Sequence, residues 1–308
     1  MGSETRRPRK RGRLSRITAS DVLASTRWFT PRDRQVCLDL YKHQVLAVHQ
    51  IAKLHFPTPR KARERLLELT ERGVLLRFQP QRSKGSAPFH YLLGELGAHI
   101  VSGFYGLEVK RLLTRLKEED WQLAHSAKLP HLLETHDFFI ALITRCREVY
   151  GFRLARWWSE RRCLREWNSE SGVDPMIRPD AHGILAGPSC EARFLLEVDR
   201  GTERGHRIAE KLESYGWYAD HLAWLARVKQ PPEPNLLLFV FPSARREERA
   251  RLKLGWYQHL HVATSNRELH DADPLGANWA PIGPYVSGRV PLSDLPRVQE
   301  MVQRERNA

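Results

Sequence analysis

The chain has 308 residues, 41% of them hydrophobic, enough to bury more than one core when a domain usually holds about 100–200 residues. Its formal charge of +14 and pI near 10.0 attract polyanions over a Debye length of about 10 Å, which makes nucleic acid the leading partner class and an anionic membrane the second. The longest apolar run, Leu236 to Phe241, falls far short of the roughly 20 residues that a bilayer span needs, so a membrane-spanning chain is excluded.

Residues 1–16 carry seven Lys and Arg side chains and almost no apolar content, so burial cannot offset the entropy of ordering them. A disordered basic arm is expected, drawn as far as residue 28, where the local charge favours phosphate contact over a merely solubilising tail. No apolar segment backs this basic start, as a secretory signal would require, and a cytoplasmic location is expected. Cys37, Cys146, Cys163 and Cys190 are too scattered for a zinc or redox pair and are read as ordinary reduced residues.

From Pro31 the pattern turns helical, with Val36, Cys37, Leu40 and Tyr41 on one stripe. A short helix over 48–55 follows, with Ile51 and Ala52 inward. Thr58 as N-cap, Pro59 at the first helical position and Gly73 as C-terminal cap delimit a third helix over 59–72. Ala62, Leu66 and Leu69 form its inner face, and Arg60, Lys61, Arg63 and Arg65 its cationic outer face. Two strand-like runs, 74–78 and 89–93, flank a loop with Arg82 and Lys84. Helix, helix, basic helix and hairpin is the order of a winged helix-turn-helix, expected over 29–105, in which the third helix enters the major groove of double-stranded DNA. Which arginine meets a base and which a phosphate is left open.

Residues 106–130 read as a helical connector. A strongly apolar helix over 132–149 contains Phe138, Phe139, Ile140, Leu142 and Ile143, so it is expected to be buried on more than one side and to open a second domain over 131–308. Strands are expected at 152–158, 176–185 and 193–199, then a helix over 202–218 with Thr202 as N-cap. A very apolar strand at 236–241, a basic helix near 245–256 and a strand at 261–264 complete the domain. This order gives one mixed α/β sheet with helices on its faces.

A hairpin turn centred between Pro188 and Ser189 sets Asp180 opposite Glu197 on the neighbouring strand, with Cβ atoms about 5 Å apart. Like charges so placed need a cation between them, and a divalent ion serves best. The same register sets Arg178 against Asp199 as a cross-strand ion pair. On the next helix Ile208, Leu212 and Tyr215 form the packing stripe, and Lys211 beside it must snorkel or find an anion. Trp157, Trp158, Trp217 and Trp224 are read as core rather than as base-stacking platforms.

Asp180 within RPDAHGIL, the strand FLLEVDRGTE, the helix segment IAEKLESY and the upstream WWSERRCLREW resemble the PD-(D/E)XK nuclease superfamily, and more narrowly the replication-relaxation family of bacterial plasmids and mobile elements. The resemblance implies a restriction-endonuclease-like second domain in which Asp180 and Glu197 bind Mg²⁺. It also implies a lysine two residues after the glutamate that orients the attacking water. Asp199 occupies that lysine position, and Lys211 on the following helix is the replacement the superfamily allows. A further acid from the helix before the sheet would be Glu134, with Glu160 as the weaker candidate. The expected protein is therefore a DNA-binding component of mobile-element replication or transfer with a nuclease-like domain. The competing readings are a non-catalytic module, whose α/β domain dimerises or recruits a replication or relaxase protein, and a ligand-responsive transcriptional regulator.

Overall fold

The computed structural model describes residues 17–80, 85–164, 177–188, 190–201, 205–226, 236–255, 260–283, 287–298 and 300–301. Contrary to the basic arm drawn to residue 28, the chain is helical well before that point: α1 spans Ala19–Ser25. Thr18 and Asp21 close a capping box that satisfies the first-turn N–H groups, and Ile17, Val22 and Trp28 pack on the first core. The remainder of the expected arm, 1–16, lies outside the described residues.

Capping chemistry sets the next elements. Thr30 and Asp33 box the start of α2 (Pro31–His43) with Pro31 in the first turn, and Thr58 accepts from the Lys61 N–H at the start of α4 (Pro59–Glu71). Gly73, at φ +75°, terminates α4 in the left-handed conformation that costs other residues a steric clash. Between α2 and α4 lie β1 (Leu46–Ala47) and α3 (Val48–His55). After α4, β2 (Leu75–Phe78) and β3 (His90–Leu93) form the hairpin, and β1 adds to the other side of β3, giving an antiparallel sheet in the order β1-β3-β2.

The end of the expected winged-helix range and the region read as connector, 106–130, share this packing. Helices α5 (Glu95–Tyr105), α6 (Val109–Arg115) and α7 (Trp121–Ala124) follow, with a π-helical turn at Leu116–Asp120 before α7. Leu96, Ile100, Val101 and Leu112 join the core formed by Val36, Leu40, Ile51, Leu66 and Leu69. Gly97 permits this: a Cβ there would sit 2.3 Å from the Val74 carbonyl oxygen.

Helix α8 (Leu129–Cys146) begins and ends three residues earlier than its periodicity suggests, with Pro130 in the first turn. It is buried on two sides, as its apolar circumference implies. Ile140 belongs to the first core, and Phe138, Phe139 and Leu142 to the second. Gln50 of α3 clamps it by donating to the Leu133 carbonyl (2.9 Å) and to Asp137 (2.8 Å).

The second sheet has six strands in the order β4-β5-β6-β7-β8-β9: β4 Arg153–Ser159, β5 Ala181–Ala186, β6 Glu191–Val198, β7 Leu236–Phe241, β8 His261–Asn266 and β9 Ala280–Ile282. Strands β4 to β6 are antiparallel, β6 to β8 parallel, and β9 antiparallel, so the mixed α/β class is as expected. Helices α9 (Gly205–Ala226) and α10 (Ala244–Arg251) connect the parallel strands, and α11 (Arg267–Ala272) follows β8. One face of the sheet packs Leu195, Leu237 and Phe239 on Ile208, Leu212 and Tyr215. The other packs Phe194, Leu196 and Leu238 on α8 and Trp279. At Gly183 a Cβ would fall 2.3 Å from the Phe194 ring, so this glycine admits the Phe139–Phe194 stack.

Strand β5 starts at Ala181 rather than 176, and α9 runs past Tyr218; Thr202 lies outside the described residues. All four cysteines are free thiols. Trp157 stacks on Phe139 and on His43, and Trp158 is half-buried. Trp217, expected in the core, is 69% exposed, while Trp224 lies outside the residues whose side chains are described.

Candidate acidic site and nucleic-acid interface

The β5–β6 hairpin pairs Ala181 with Leu196, and one residue further along this register Asp180 comes opposite Glu197, as the turn position predicts. Around these two acids four elements converge. One Asp180 oxygen accepts from the Val198 N–H at 2.7 Å, and the other meets His131 Nε2 of α8 at 2.8 Å. One Glu197 oxygen receives Lys211 Nζ of α9 at 2.9 Å, and the other the Tyr215 hydroxyl at 2.5 Å. The amine predicted to find an anion has found one, and the packing-stripe tyrosine turns out to be its neighbour on the same carboxylate.

Electrostatics follow from burial. Glu197 is 2% exposed; desolvation, then repulsion from Asp180, pushes its carboxyl up from 4.5 to about 7 despite Lys211 and Tyr215. Burial and the Glu197 charge push the Tyr215 hydroxyl well above its ordinary value, so it stays a donor. For His131, burial opposes the charge, but the hydrogen bond and attraction from Asp180, with Glu197 behind it, outweigh it and hold the imidazolium above its usual range. Glu160, in the helical turn at 160–164 that follows β4, feels the same field: burial, then Asp180, raises its carboxyl.

The other acids sit elsewhere. Glu134, expected to join the pair, is claimed by two arginines, Arg200 at 3.3 Å and Arg267 at 2.7 Å. His131, one turn earlier on α8, faces Asp180 in its place. Asp199 does not pair with Arg178: it accepts from Arg246 Nε at 2.7 Å and from the Gly201 N–H at 2.8 Å. Helix α10 brings Arg246 in, whereas strand register alone nominated Arg178.

Carboxylate oxygens are the donors that Mg²⁺ takes. Here, however, all four oxygens of the pair already receive protein donors, two of them able to carry positive charge. Among the described residues no group of three or more His, Cys, Asp or Glu side chains is placed to hold a metal. As arranged, the cluster balances its own charge and does not fit a resident ion.

On the N-terminal part, α4 turns Arg60, Lys61 and Arg63 to solvent, with Arg60 lightly tied to Glu64 at 2.9 Å. Arg65 leaves that face. Its guanidinium makes a two-pronged pair with the buried Asp33 (3.0 and 2.5 Å), and it also donates to Glu68 and to the Trp28 carbonyl. Arg82 and Lys84 lie outside the described residues.

An α/β sheet with an acid–amine cluster at the ends of two inner strands, joined through α8 to a helical unit with a small sheet, is thus what the chain builds. A family model described as replication-relaxation matches residues 38–232, more than half of the chain, and the chain belongs to that family. No curated protein and no solved structure matches it. Membership points to a role in plasmid or mobile-element replication. No helix among the described residues is long and apolar enough to cross a membrane.

Proposed function

We propose that this protein is a DNA-binding component of plasmid or mobile-element replication, which engages double-stranded DNA through α4. The observation that carries this reading is the exposed row Arg60, Lys61 and Arg63 on the third helix of an α2–α3–α4 unit followed by the β2–β3 hairpin. That is the order a winged helix-turn-helix uses to set a helix in the major groove and a hairpin on the flanking backbone. The family match supports the same setting. In this reading the α/β unit is a restriction-endonuclease-like domain that serves recruitment of a replication or relaxase protein or pairing with a second copy of the chain. Its acid pair is closed by Lys211, His131 and Tyr215.

One observation favours a second reading, metal-dependent phosphodiester hydrolysis at Asp180 and Glu197. Asp180 and Glu197 stand side by side, and their repulsion adds to burial in raising the Glu197 carboxyl, a strain that a divalent ion drawn between them in place of Lys211 would relieve. Supercoiled plasmid incubated with the full chain and Mg²⁺ or Mn²⁺ separates the two. Retardation on a gel without nicking is expected. Nicking that Asp180→Ala and Lys211→Ala both abolish would establish the second reading.

A further inference from the structure

Between the C-terminal end of α2, helix α6 and strand β4 lies a cleft of about 1120 Å³, lined by no residue of α4 and by neither acid of the pair. Seven lysine and arginine side chains and three glutamates among the described residues line it, so its field is strongly positive. The way its arginines are held is informative. Arg156 lies 4.5 Å and Arg162 5.3 Å from the centre of the Trp158 ring, and Arg115 lies 4.7 Å from that of Tyr41. A ring face holds a guanidinium flat and fixes its orientation, and a planar, pre-oriented guanidinium is the cation that matches phosphate oxygens.

Deeper in, Arg115 and Arg161 share a single buried acid, Asp120. Arg115 reaches it at 3.3 Å, and Arg161 Nη1 stops 3.6 Å from it and 3.8 Å from Glu119. That Nη1 is buried and makes no hydrogen bond. Burial and the neighbouring Arg115 both act against the Arg161 charge, as expected where cations outnumber the anions supplied.

We infer that this cleft is a second nucleic-acid site, which takes the phosphate backbone of a single DNA strand. A cleft of about 1120 Å³ is too small to enclose a duplex, whose major and minor grooves alone measure about 12 and 6 Å across. Its volume stands at the top of the about 300–1,000 Å³ range of small-ligand pockets, and seven cations spread along its walls match the repeating charge of a strand better than a single free nucleotide. The inference deepens the DNA-binding reading: a protein holding duplex on α4 and an unpaired strand in the cleft suits a replication event in which strands separate.

The test is fluorescence anisotropy of the full chain with a labelled oligothymidylate and, separately, a labelled duplex. Arg156→Gln combined with Arg162→Gln should weaken oligothymidylate binding about tenfold. It should also flatten the dependence of log K on log salt by about 1.4, since each lost single-strand phosphate contact removes about 0.7. Duplex affinity should stay nearly constant, whereas Arg60→Gln with Lys61→Gln and Arg63→Gln should show the reverse pattern. If the first variant unfolds at a lower temperature than the wild type, Lys42→Gln with Lys110→Gln, at the exposed rim of the cleft, replaces it with the same expectation. Unchanged oligothymidylate affinity and salt slope in folded cleft variants overturn the inference, as does displacement by polyglutamate as effective as by unlabelled oligothymidylate. Failure of the wild type to bind duplex would overturn the α4 reading alone.

Discussion

Replacing Arg65 by alanine is expected to lower the unfolding free energy by about 3 kcal/mol, while the DNA affinity of the folded variant stays close to that of the wild type. Asp33 is buried and receives two of the Arg65 donors, so truncation strands a carboxylate that has only the α2 cap left to satisfy it. The figure sits at the low end for a broken buried pair because the Arg65 side chain is 21% exposed. Arg65→Lys keeps the charge but loses the two-pronged geometry and should cost about half as much. Urea unfolding and duplex titration of the three proteins check this. A fall in affinity with unchanged stability would return Arg65 to the outer face of α4.

Glu197→Gln should change the pH dependence of stability by about 3 kcal/mol between pH 4.5 and 7. Because the folded-state carboxyl is raised from 4.5 to about 7, folding takes up a proton in this window. The cost of the buried charge is absent below about pH 4.5 and fully present above about pH 7, at about 1.4 kcal/mol per pH unit between. Wild type should therefore gain stability relative to the glutamine variant as pH falls from 8 to 5. The same fall restores, in both proteins, the contribution of His131, whose raised folded value makes it stabilising when charged and lets that stability go as pH rises. Unfolding measured on both proteins at pH 5 and pH 8 gives the comparison; parallel curves would mean that Glu197 is already neutral or well solvated.

Local chemistry made much of this legible. The Thr58, Pro59 and Gly73 signals delimit α4 to within a residue, the run Leu236–Phe241 is a strand over those residues, and the turn position places Asp180 opposite Glu197. What escaped depends on placement in space. Strand β1 has two residues and is defined only by pairing with β3. Strand β9 contains Pro281, which reads as a breaker and is tolerated because β9 is an edge strand.

Partner choice escaped for the same reason. Arg65 and Arg63 are two residues, about 200°, apart on one basic helix, which sets Arg65 beside the Ala62–Leu69 stripe; what the sequence does not show is that Asp33 of α2 waits there to receive it. Arg246 takes Asp199 and Arg267 takes Glu134 because α10 and α11 stand at the strand ends. His131 left a faint trace, a titratable residue in the first turn of α8 one turn before Glu134.

The most direct test of the account is duplex binding by wild type and by Arg60→Ala with Lys61→Ala and Arg63→Ala, titrated across salt concentrations. Three phosphate contacts on B-DNA imply that the slope of log K against log salt flattens by about 2.7 in the variant, with unfolding unaffected. Equal slopes for the two proteins would contradict the assignment of α4 as the DNA-binding helix.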